Sequence, residues 1–271
     1  MLTDSVKSLI HEMHSVLFIT GAGLSADSGL PTYRGVGGLY ESRDTDDGMP
    51  VELALSGHTM AARPQVCWKH IRQIANTCHE ARPNRAHEIM AAFESELDRV
   101  WVLTQNVDGF HRQAGSQKVI EIHGTIRKLR CTKCRWRDEI EDYSTLADVP
   151  HCPECHAVIR PDVVLFGEML SPHNTSRLYQ ELSRGFGLVF SVGTTSVFPY
   201  IAEPIRMACR RRIPTIEINP GESEVSNLVD HRIRERAAPA LEAVWQAWQS
   251  RPKGAKKRPH WDTLTKSDEM D

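Results

Sequence analysis

Residues 16–25 have the sequence Val-Leu-Phe-Ile-Thr-Gly-Ala-Gly-Leu-Ser, an apolar run followed directly by a glycine-rich turn. The run has the length of a buried strand. Glycines in such a turn let the backbone approach a phosphate group, and a helix that follows presents free N–H groups there. The spacing differs from Gly-x-Gly-x-x-Gly, and an ordinary strand-to-helix turn also favours glycine. The segment therefore predicts a strand and a turn without identifying a ligand.

Similar apolar runs recur along the chain, at residues 100–104, 188–192 and 214–218. Continuous rather than alternating hydrophobicity is typical of parallel strands that are covered on both faces. Helical periodicity is found between and after these runs, at residues 6–13, 84–97, 200–212 and 237–249. This alternation predicts an α/β fold with a parallel sheet. An ordinary dehydrogenase places an acidic residue that binds the ribose at the end of the strand after the glycine-rich turn. The acidic residues at 41–47 are not preceded by a strand, which counts against that class of enzyme.

Two regions interrupt the alternation of strands and helices. Residues 35–60 are rich in Gly, Asp and Ser, which predicts a loop with short helices. Residues 127–160 are poor in apolar residues and contain two Cys-x-x-Cys pairs, formed by Cys131, Cys134, Cys152 and Cys155. Four thiolates at this spacing close a tetrahedron around zinc and leave no open coordination position. We therefore predict an inserted lobe with a structural zinc ion.

Disulfide bonds and a redox motif are the two alternatives to zinc for these cysteines. Disulfides are disfavoured in a reducing compartment, and a redox motif uses a single Cys-x-x-Cys pair, whereas this chain has two. His151 and His156 flank the second pair and are expected to be surface residues. The three remaining cysteines are expected to be core or helix residues; they are Cys67, Cys78 and Cys209.

The composition excludes several classes of protein. The chain has 271 residues, with 33 Lys and Arg against 35 Asp and Glu, and a net charge of −2. This balance gives no basic field that would make nucleic acid the expected partner. No apolar run approaches the ~20 residues of a bilayer-spanning helix, and the N-terminus has no apolar signal segment. We expect a cytoplasmic protein without a membrane partner, and residues 250–271 have the composition of a disordered tail.

Polar residues follow several predicted strands, at Gln105–Asp108, Gly193–Ser196 and Asn219. Ligands bind beyond the carboxyl ends of strands in open α/β sheets, although a tight turn explains residues 105–108 equally well. His123 precedes a glycine, and the near-neutral pKa of histidine as a residue type suits a general base, but a lone histidine is usually structural. Residues 160–168 predict either a strand that pairs with a peptide or one that returns to the core.

Together these segments resemble the sirtuin family of NAD-dependent protein-lysine deacylases. The shared motifs occur in the order that the family uses: Gly-Ala-Gly-x-Ser through Pro-Thr-Tyr-Arg (21–34), Gln-Asn-Val-Asp (105–108), His-Gly (123–124), the paired Cys-x-x-Cys, Pro-Asp-Val-Val-x-Phe-Gly-Glu (161–168), Gly-Thr-Thr-Ser (193–196) and Ile-Asn (218–219). The resemblance extends over roughly residues 10–245. Any one of these motifs taken alone is a weak signal, whereas the ordered set is highly specific to the family.

The resemblance implies two domains with the active site between them. A Rossmann-like NAD-binding domain would comprise residues 1–34, 84–126 and 161–249. The smaller domain would combine a helical excursion, residues 35–83, with the zinc ribbon, residues 127–160.

The resemblance also implies roles for individual residues. His123 would be the general base, with Asn106 as a second catalytic residue. Contacts with NAD would come from Gly21, Ala22, Gly23, Ser25, Asp27, Tyr33, Arg34, Gln105, Asn106, Val107, Asp108, Gly193, Thr194, Thr195, Ser196 and Asn219. Contacts with the acyl-lysine substrate would come from Val163, Val164, Phe166, Gly167, Glu168 and Arg72.

The implied reaction transfers the acyl group of a modified lysine to ADP-ribose and releases nicotinamide, so NAD is consumed as a co-substrate. Sirtuins that prefer succinyl or malonyl groups carry a Tyr-x-x-Arg pair, and the nearest match here is Lys69 and Arg72, without the tyrosine. We predict deacetylation as the main activity of a monomeric protein that acts on acyl-lysine proteins or peptides. The alternatives are a deacylase preferring acidic acyl groups, a mono-ADP-ribosyltransferase or NAD hydrolase, a zinc-ribbon nucleic-acid module, which the charge disfavours, and an inactive NAD-sensing scaffold.

Overall fold

A computed structural model describes residues 2–32 and 45–252 of the chain. Within these residues it contains nine strands: β1 (Ser15–Thr20), β2 (Arg99–Thr104), β3 (Val119–Glu121), β4 (Gly124–Cys131), β5 (Arg137–Glu139), β6 (Ile159–Val163), β7 (Leu188–Val192), β8 (Thr215–Ile218) and β9 (His231–Ile233). Six of them form one sheet in the order β3-β2-β1-β7-β8-β9, and every neighbouring pair in it is parallel. The predicted α/β fold with a Rossmann-like sheet is confirmed.

Strand β1 lies in the middle of this sheet, and five of its six residues are buried. Val16 pairs with Val100 of β2 on one side and with Leu188 of β7 on the other. The ring of Phe18 stacks against Phe190 with centroids 5.1 Å apart. A strand that is covered on both faces needs apolar residues at every position, which explains the continuous run in the sequence.

Ten helices accompany the strands in the described residues: α1 (Asp4–Glu12), α2 (Ala22–Ser25), α3 (Val51–Ala54), α4 (Gly57–Ala62), α5 (Pro64–Glu80), α6 (Arg85–Glu96), α7 (Phe110–Gln113), α8 (Pro172–Ser183), α9 (Pro199–Arg210) and α10 (Ala237–Gln249). Local signals fix several of their ends. The Thr3 side chain accepts a hydrogen bond from the Val6 amide and begins α1. Asn84 and His87 form a reciprocal capping box that begins α6.

Two strands of the main sheet were not predicted. Strands β3 and β9 are the two edges, and each has only three residues. Their pairing with β2 and β8 depends on the neighbouring strand rather than on a local pattern. Short edge strands limit unwanted pairing with other chains, but they are too short to give a periodic signal.

A second, three-stranded sheet in the order β5-β4-β6 carries the two Cys-x-x-Cys pairs. Strand β4 begins at Gly124 and β6 ends at Val163, so this sheet extends a few residues beyond the predicted lobe. Helix α5 packs against it, and the indole of Trp68 donates a hydrogen bond to the Ile159 carbonyl over 2.9 Å. The sheet and the helices of residues 51–80 thus share one apolar core, separate from the clusters that cover the main sheet. None of the described helices is long and apolar enough to span a bilayer.

Candidate active site

The carboxyl ends of β1, β2, β7 and β8 open onto a cavity of about 940 Å³, whose opposite wall is the segment after β6. Sixteen predicted site residues line it: Gly21, Ala22, Gly23, Gln105, Asn106, Val107, His123, Val163, Val164, Phe166, Gly167, Glu168, Gly193, Thr194, Thr195 and Asn219. A smaller neighbouring cavity of about 340 Å³ adds Ser25 and Asp108. These volumes suit small-molecule ligands, and the position is the usual one for a ligand in an open α/β sheet.

The glycine-rich turn lies against the turn that follows β7. The amide of Gly23 donates to the Gly193 carbonyl over 2.8 Å. A Cβ atom added to Gly23 would lie 2.8 Å from the Gly193 Cα, and Gly193 itself has a φ of +57°. The two backbones therefore approach each other more closely than any side chain permits, and the two joined turns form a glycine cradle that lines the cavity.

The residue Asn106 joins this turn to the end of β2. Its side-chain amide donates to the Gly21 carbonyl over 3.0 Å and to the Ser25 hydroxyl over 3.1 Å. That hydroxyl in turn donates to the Asp108 carboxylate over 2.7 Å. Burial raises the pKa of Asp108, although the Phe110 amide and Ser25 also donate to its carboxylate and oppose this rise. The chain of hydrogen bonds fixes these polar side chains before any ligand arrives.

The turn after β7 is attached to its neighbours by Thr194. Its hydroxyl accepts from the Gln105 side chain over 2.7 Å, and its carbonyl accepts from the Asn219 side chain over 3.0 Å. Thr195 is exposed at the cavity, whereas Ser196 is buried and its hydroxyl has no partner among the described residues. Ser196, a predicted site residue, lines neither of the two cavities.

The imidazole of His123 is half-buried at this cavity. Its Nδ1 lies 3.0 Å from the Gln105 carbonyl, and its Nε2 lies 2.7 Å from the Tyr200 hydroxyl. A carbonyl oxygen only accepts, so Nδ1 carries the proton and the electron pair of Nε2 accepts from the Tyr200 hydroxyl. Burial lowers the pKa of His123 in spite of the Gln105 carbonyl. The ring is therefore neutral at neutral pH and is able to accept a proton at Nε2.

The segment after β6 forms the opposite wall through backbone hydrogen bonds. The Val164 amide donates to the His123 carbonyl over 2.8 Å, and the Phe166 amide donates to the Leu55 carbonyl over 3.0 Å. Two alternatives were open for residues 160–168, a strand that pairs with a peptide and a strand that returns to the core. The first residues of this segment form β6 of the three-stranded sheet, and the residues after β6 are extended along the cavity.

Glu168 has a different environment from the one expected of a substrate-binding residue. Its carboxylate pairs with the buried Arg160 and accepts from the Leu165 amide over 2.9 Å. Burial alone would raise the pKa of Glu168, but these hydrogen bonds outweigh it and lower the pKa. This carboxylate therefore holds the wall of the cavity in place.

Two other predicted site residues lie outside both cavities. The Arg72 guanidinium donates to the carbonyls of Tyr143 and Ala147, each over 2.7 Å, so it ties α5 to the cysteine-rich lobe. Asp27 pairs with Arg236 and accepts from the Ala238 amide over 2.7 Å, so it caps the start of α10. Tyr33, Arg34 and residues 253–271 of the predicted tail lie outside the described residues.

The four predicted zinc ligands are brought together by the three-stranded sheet. The sulfur atoms of Cys131, Cys134, Cys152 and Cys155 all lie within 4.8 Å of one another. Four thiolates in this arrangement fit a tetrahedral structural zinc site, with no position left for a substrate. Cys67 and Cys78 are buried in α5, as expected for core residues, and burial raises the pKa of each thiol to about 12.

Two aromatic residues of the site are absent from the set predicted from the sequence. Phe198 and Tyr200 follow the Gly-Thr-Thr-Ser turn and line the cavity beside His123. Their rings stack with centroids 5.4 Å apart, and each meets the imidazole edge to face. The sequence places Phe-Pro-Tyr one residue after a turn at a strand end, but the contact of these rings with His123 depends on the placement of α9.

Comparisons with known proteins agree with this geometry. The sequence model of the Sir2 family matches residues 21–199. NAD-dependent protein deacylase 2 of Pseudomonas aeruginosa is 44% identical over 243 residues, which are 89% of this chain and 94% of that protein. The NAD-dependent protein deacylase of Aquifex aeolicus is 37% identical over 233 residues, which cover 85% and 94% of the two chains.

Solved structures give the same result. A Sir2 homologue in complex with NAD superimposes with a TM-score of 0.82 at 31% identity, covering 92% of this chain and 94% of that one. A complex of Sir2 with a p53 peptide and NAD+ gives a TM-score of 0.77 at 27% identity, with coverage of 91% and 98%. The resemblance expected from the ordered motifs is confirmed, and the chain belongs to the Sir2 family, the sirtuins.

Proposed function

We propose that the protein is an NAD-dependent protein-lysine deacylase that transfers the acyl group of acyl-lysine to ADP-ribose. The observation that carries the proposal is the position of His123, which carries its proton on Nδ1 and lines a cavity with a glycine cradle on one side and an apolar wall on the other. The names of the relatives from Pseudomonas aeruginosa and Aquifex aeolicus support the same activity.

The glycine cradle is suited to the phosphates of NAD. Gly21, Gly23 and Gly193 all line the cavity, so the backbone of both turns is open to a phosphate there. Asn106 and Asp108, fixed through Ser25, would orient the nicotinamide half between the two cavities. Asn219 and Thr194 would hold the adenosine half at the far end.

When NAD is bound, it supplies an electrophilic ribose carbon, to which the acyl oxygen bonds as nicotinamide leaves. His123 then accepts the proton of a ribose hydroxyl at Nε2, while the Gln105 carbonyl holds its Nδ1–H and fixes the ring. The acyl carbon bonds to the oxygen of that hydroxyl, one water molecule adds to the same carbon, and the amide C–N bond breaks, so the lysine nitrogen leaves as an amine that takes up the released protons. The products are free lysine, nicotinamide and O-acyl-ADP-ribose.

The wall formed by Val163, Val164 and Phe166 would hold the lysine stem. An acyl-lysine is uncharged, so its burial against apolar side chains costs little, whereas a free lysine carries an ammonium group. The same wall would therefore favour release of the deacylated product.

The apolar residues that α5 and its neighbours contribute to the cavity lining bear on which acyl groups fit. Ile71 and Ile74 of α5 line it, together with Leu55, whereas Arg72 points to the cysteine-rich lobe. An acidic acyl group would meet apolar side chains there instead of a cation. We therefore keep acetyl-lysine as the main substrate. The predictions of a monomeric, cytoplasmic protein remain predictions.

One product assay tests this function. The protein is incubated with NAD and an acetyl-lysine peptide, and all products are measured by mass spectrometry. We expect one nicotinamide and one O-acetyl-ADP-ribose for each lysine freed, and a loss of at least 100-fold in kcat for His123→Ala. Nicotinamide release with the acetyl group still on the peptide would instead identify an ADP-ribosyltransferase or an NAD hydrolase.

A further inference from the structure

The contact between Tyr200 and the general base has no role in the reaction proposed above. Tyr200 lies in the first turn of α9, and its hydroxyl oxygen is 2.7 Å from Nε2 of His123. This nitrogen is the atom that must accept the proton from the sugar. The phenol therefore occupies the one position on the imidazole that the reaction needs.

The direction of this hydrogen bond follows from the other side of the ring. Nδ1 donates its proton to the Gln105 carbonyl, so Nε2 of the neutral ring has only an electron pair to offer. The Tyr200 hydroxyl is consequently the donor. Burial raises the pKa of Tyr200 to about 12, so the phenol keeps the proton that it donates.

A single electron pair on Nε2 accepts one hydroxyl at a time. We propose that Tyr200 is a positioning residue that holds His123 ready in the ligand-free enzyme, donating to Nε2 in place of the ribose hydroxyl until the co-substrate displaces it. This inference rests on the proposed function. It adds a residue from α9 to a site whose other polar groups follow the ends of strands.

The surroundings of Tyr200 favour this role. Its ring stacks on Phe198 with an angle of 12° between the planes, so the phenol is held at the imidazole by packing as well as by the hydrogen bond. The other titratable side chains that line this cavity have partners elsewhere in the described structure. Glu168 pairs with Arg160, Glu222 pairs with Arg232 and Arg234, and Arg236 pairs with Asp27. Tyr200 is thus the one titratable side chain of that lining that contacts His123.

The test removes the hydroxyl and keeps the ring, in Tyr200→Phe. The matched control is Tyr179→Phe, on an exposed tyrosine of α8. The pKa of His123 is measured by NMR on the full chain without ligands. Loss of a donor to the neutral imidazole should raise this pKa by about 0.5 to 1 unit, the effect of one neutral hydrogen bond, and the control should leave it unchanged.

Kinetics distinguish a residue that is displaced from one that works in the reacting complex. The pH profile of kcat/KM, measured with NAD varied, has an acidic limb that reports a pKa of the free enzyme. In Tyr200→Phe this pKa should rise by the same amount as the pKa measured by NMR. The acidic limb of the pH profile of kcat reports the pKa of His123 in the complex, in which the sugar has replaced the phenol. This pKa should be the same in Tyr200→Phe and in the wild type. An unchanged pKa of His123, or a kcat reduced more than tenfold, would overturn the inference.

A second measurement needs only the wild-type protein. The imidazole nitrogen shifts should place the proton on Nδ1; a proton on Nε2 would mean that Nε2 donates to the phenol, and the inference would be wrong. Both NMR measurements are independent of turnover. Failure of the proposed function would be seen separately, as a wild-type protein that frees no lysine.

Discussion

Gly23 and Gly193 touch through their backbones, with the amide of Gly23 2.8 Å from the Gly193 carbonyl oxygen. This contact joins the turn after β1 to the turn after β7, two neighbouring strands at the centre of the sheet. It places the two glycine-rich turns of the sequence, 170 positions apart, on one side of a single cavity. The cradle exists because neither residue has a side chain.

The first prediction is that Gly23→Ala disrupts this contact. Its Cβ would lie 2.8 Å from the Cα and the carbonyl oxygen of Gly193, so the two turns must separate. We expect the free energy of unfolding to fall by about 1–3 kcal/mol and the affinity for NAD to fall at least tenfold, measured by urea denaturation and by calorimetry. Gly221→Ala is the control, since the nearest atom to its Cβ, the Asn219 Oδ1, is 3.8 Å away. Equal stability of the two variants would contradict the prediction.

The zinc site gives the second prediction. Cys152→Ser removes one of four thiolates from a cluster that also contributes Cys131 and Cys152 to the apolar core. We expect the purified variant to contain much less than one zinc per chain by elemental analysis, and to unfold at lower temperature because metal binding is coupled to folding. Cys209→Ser changes a half-buried cysteine outside the cluster and should retain the metal. A full zinc content in Cys152→Ser would show that the metal is held by other residues.

The parts of this fold that the sequence predicted are those that local chemistry determines. The apolar run at 16–20 has to be a strand covered on both faces, and the cysteine spacing has to bring four thiolates together. Arg72 shows where such inference ends. Helical periodicity predicts a helix around it, but the direction of its side chain depends on how α5 packs against the cysteine-rich lobe. Tyr200 was missed for the same reason, since its contact with His123 depends on the placement of α9.

A pH effect on stability gives the third prediction. Burial lowers the pKa of His87 from its ordinary 6.5 to about 4, and the Asn84 amide donates to Nδ1 of the neutral ring. Between these two pKa values His87 is protonated in the unfolded chain and neutral in the folded protein. The free energy of unfolding therefore falls as the pH falls. From pH 7 to pH 5 the contribution of His87 to this loss is about 2 kcal/mol.

His87→Gln should remove that contribution, because glutamine does not titrate and still provides an acceptor for the capping box. Urea denaturation at pH 7 and pH 5 measures the difference. His151→Gln, at an exposed histidine, should lose as much stability as the wild type. If His87→Gln also loses as much as the wild type, the acid sensitivity arises elsewhere, and the buried His111 would be the next candidate, since burial lowers its pKa as well.

The final prediction concerns the acyl group. Ile74 lines both cavities, on the apolar surface that we propose contacts the acyl group, so a cation introduced there would lie beside that group. We expect Ile74→Arg to raise the ratio of desuccinylation to deacetylation at least tenfold. A guanidinium pairs with the succinyl carboxylate, whereas it disfavours binding of the uncharged acetyl group. Arg72→Gln is the control: its guanidinium binds lobe carbonyls, so its loss should lower stability and leave the ratio unchanged. A wild-type enzyme that already prefers succinyl-lysine and loses this preference in Arg72→Gln would reverse the assignment, and would show that the arginine turns toward the substrate when the site is filled.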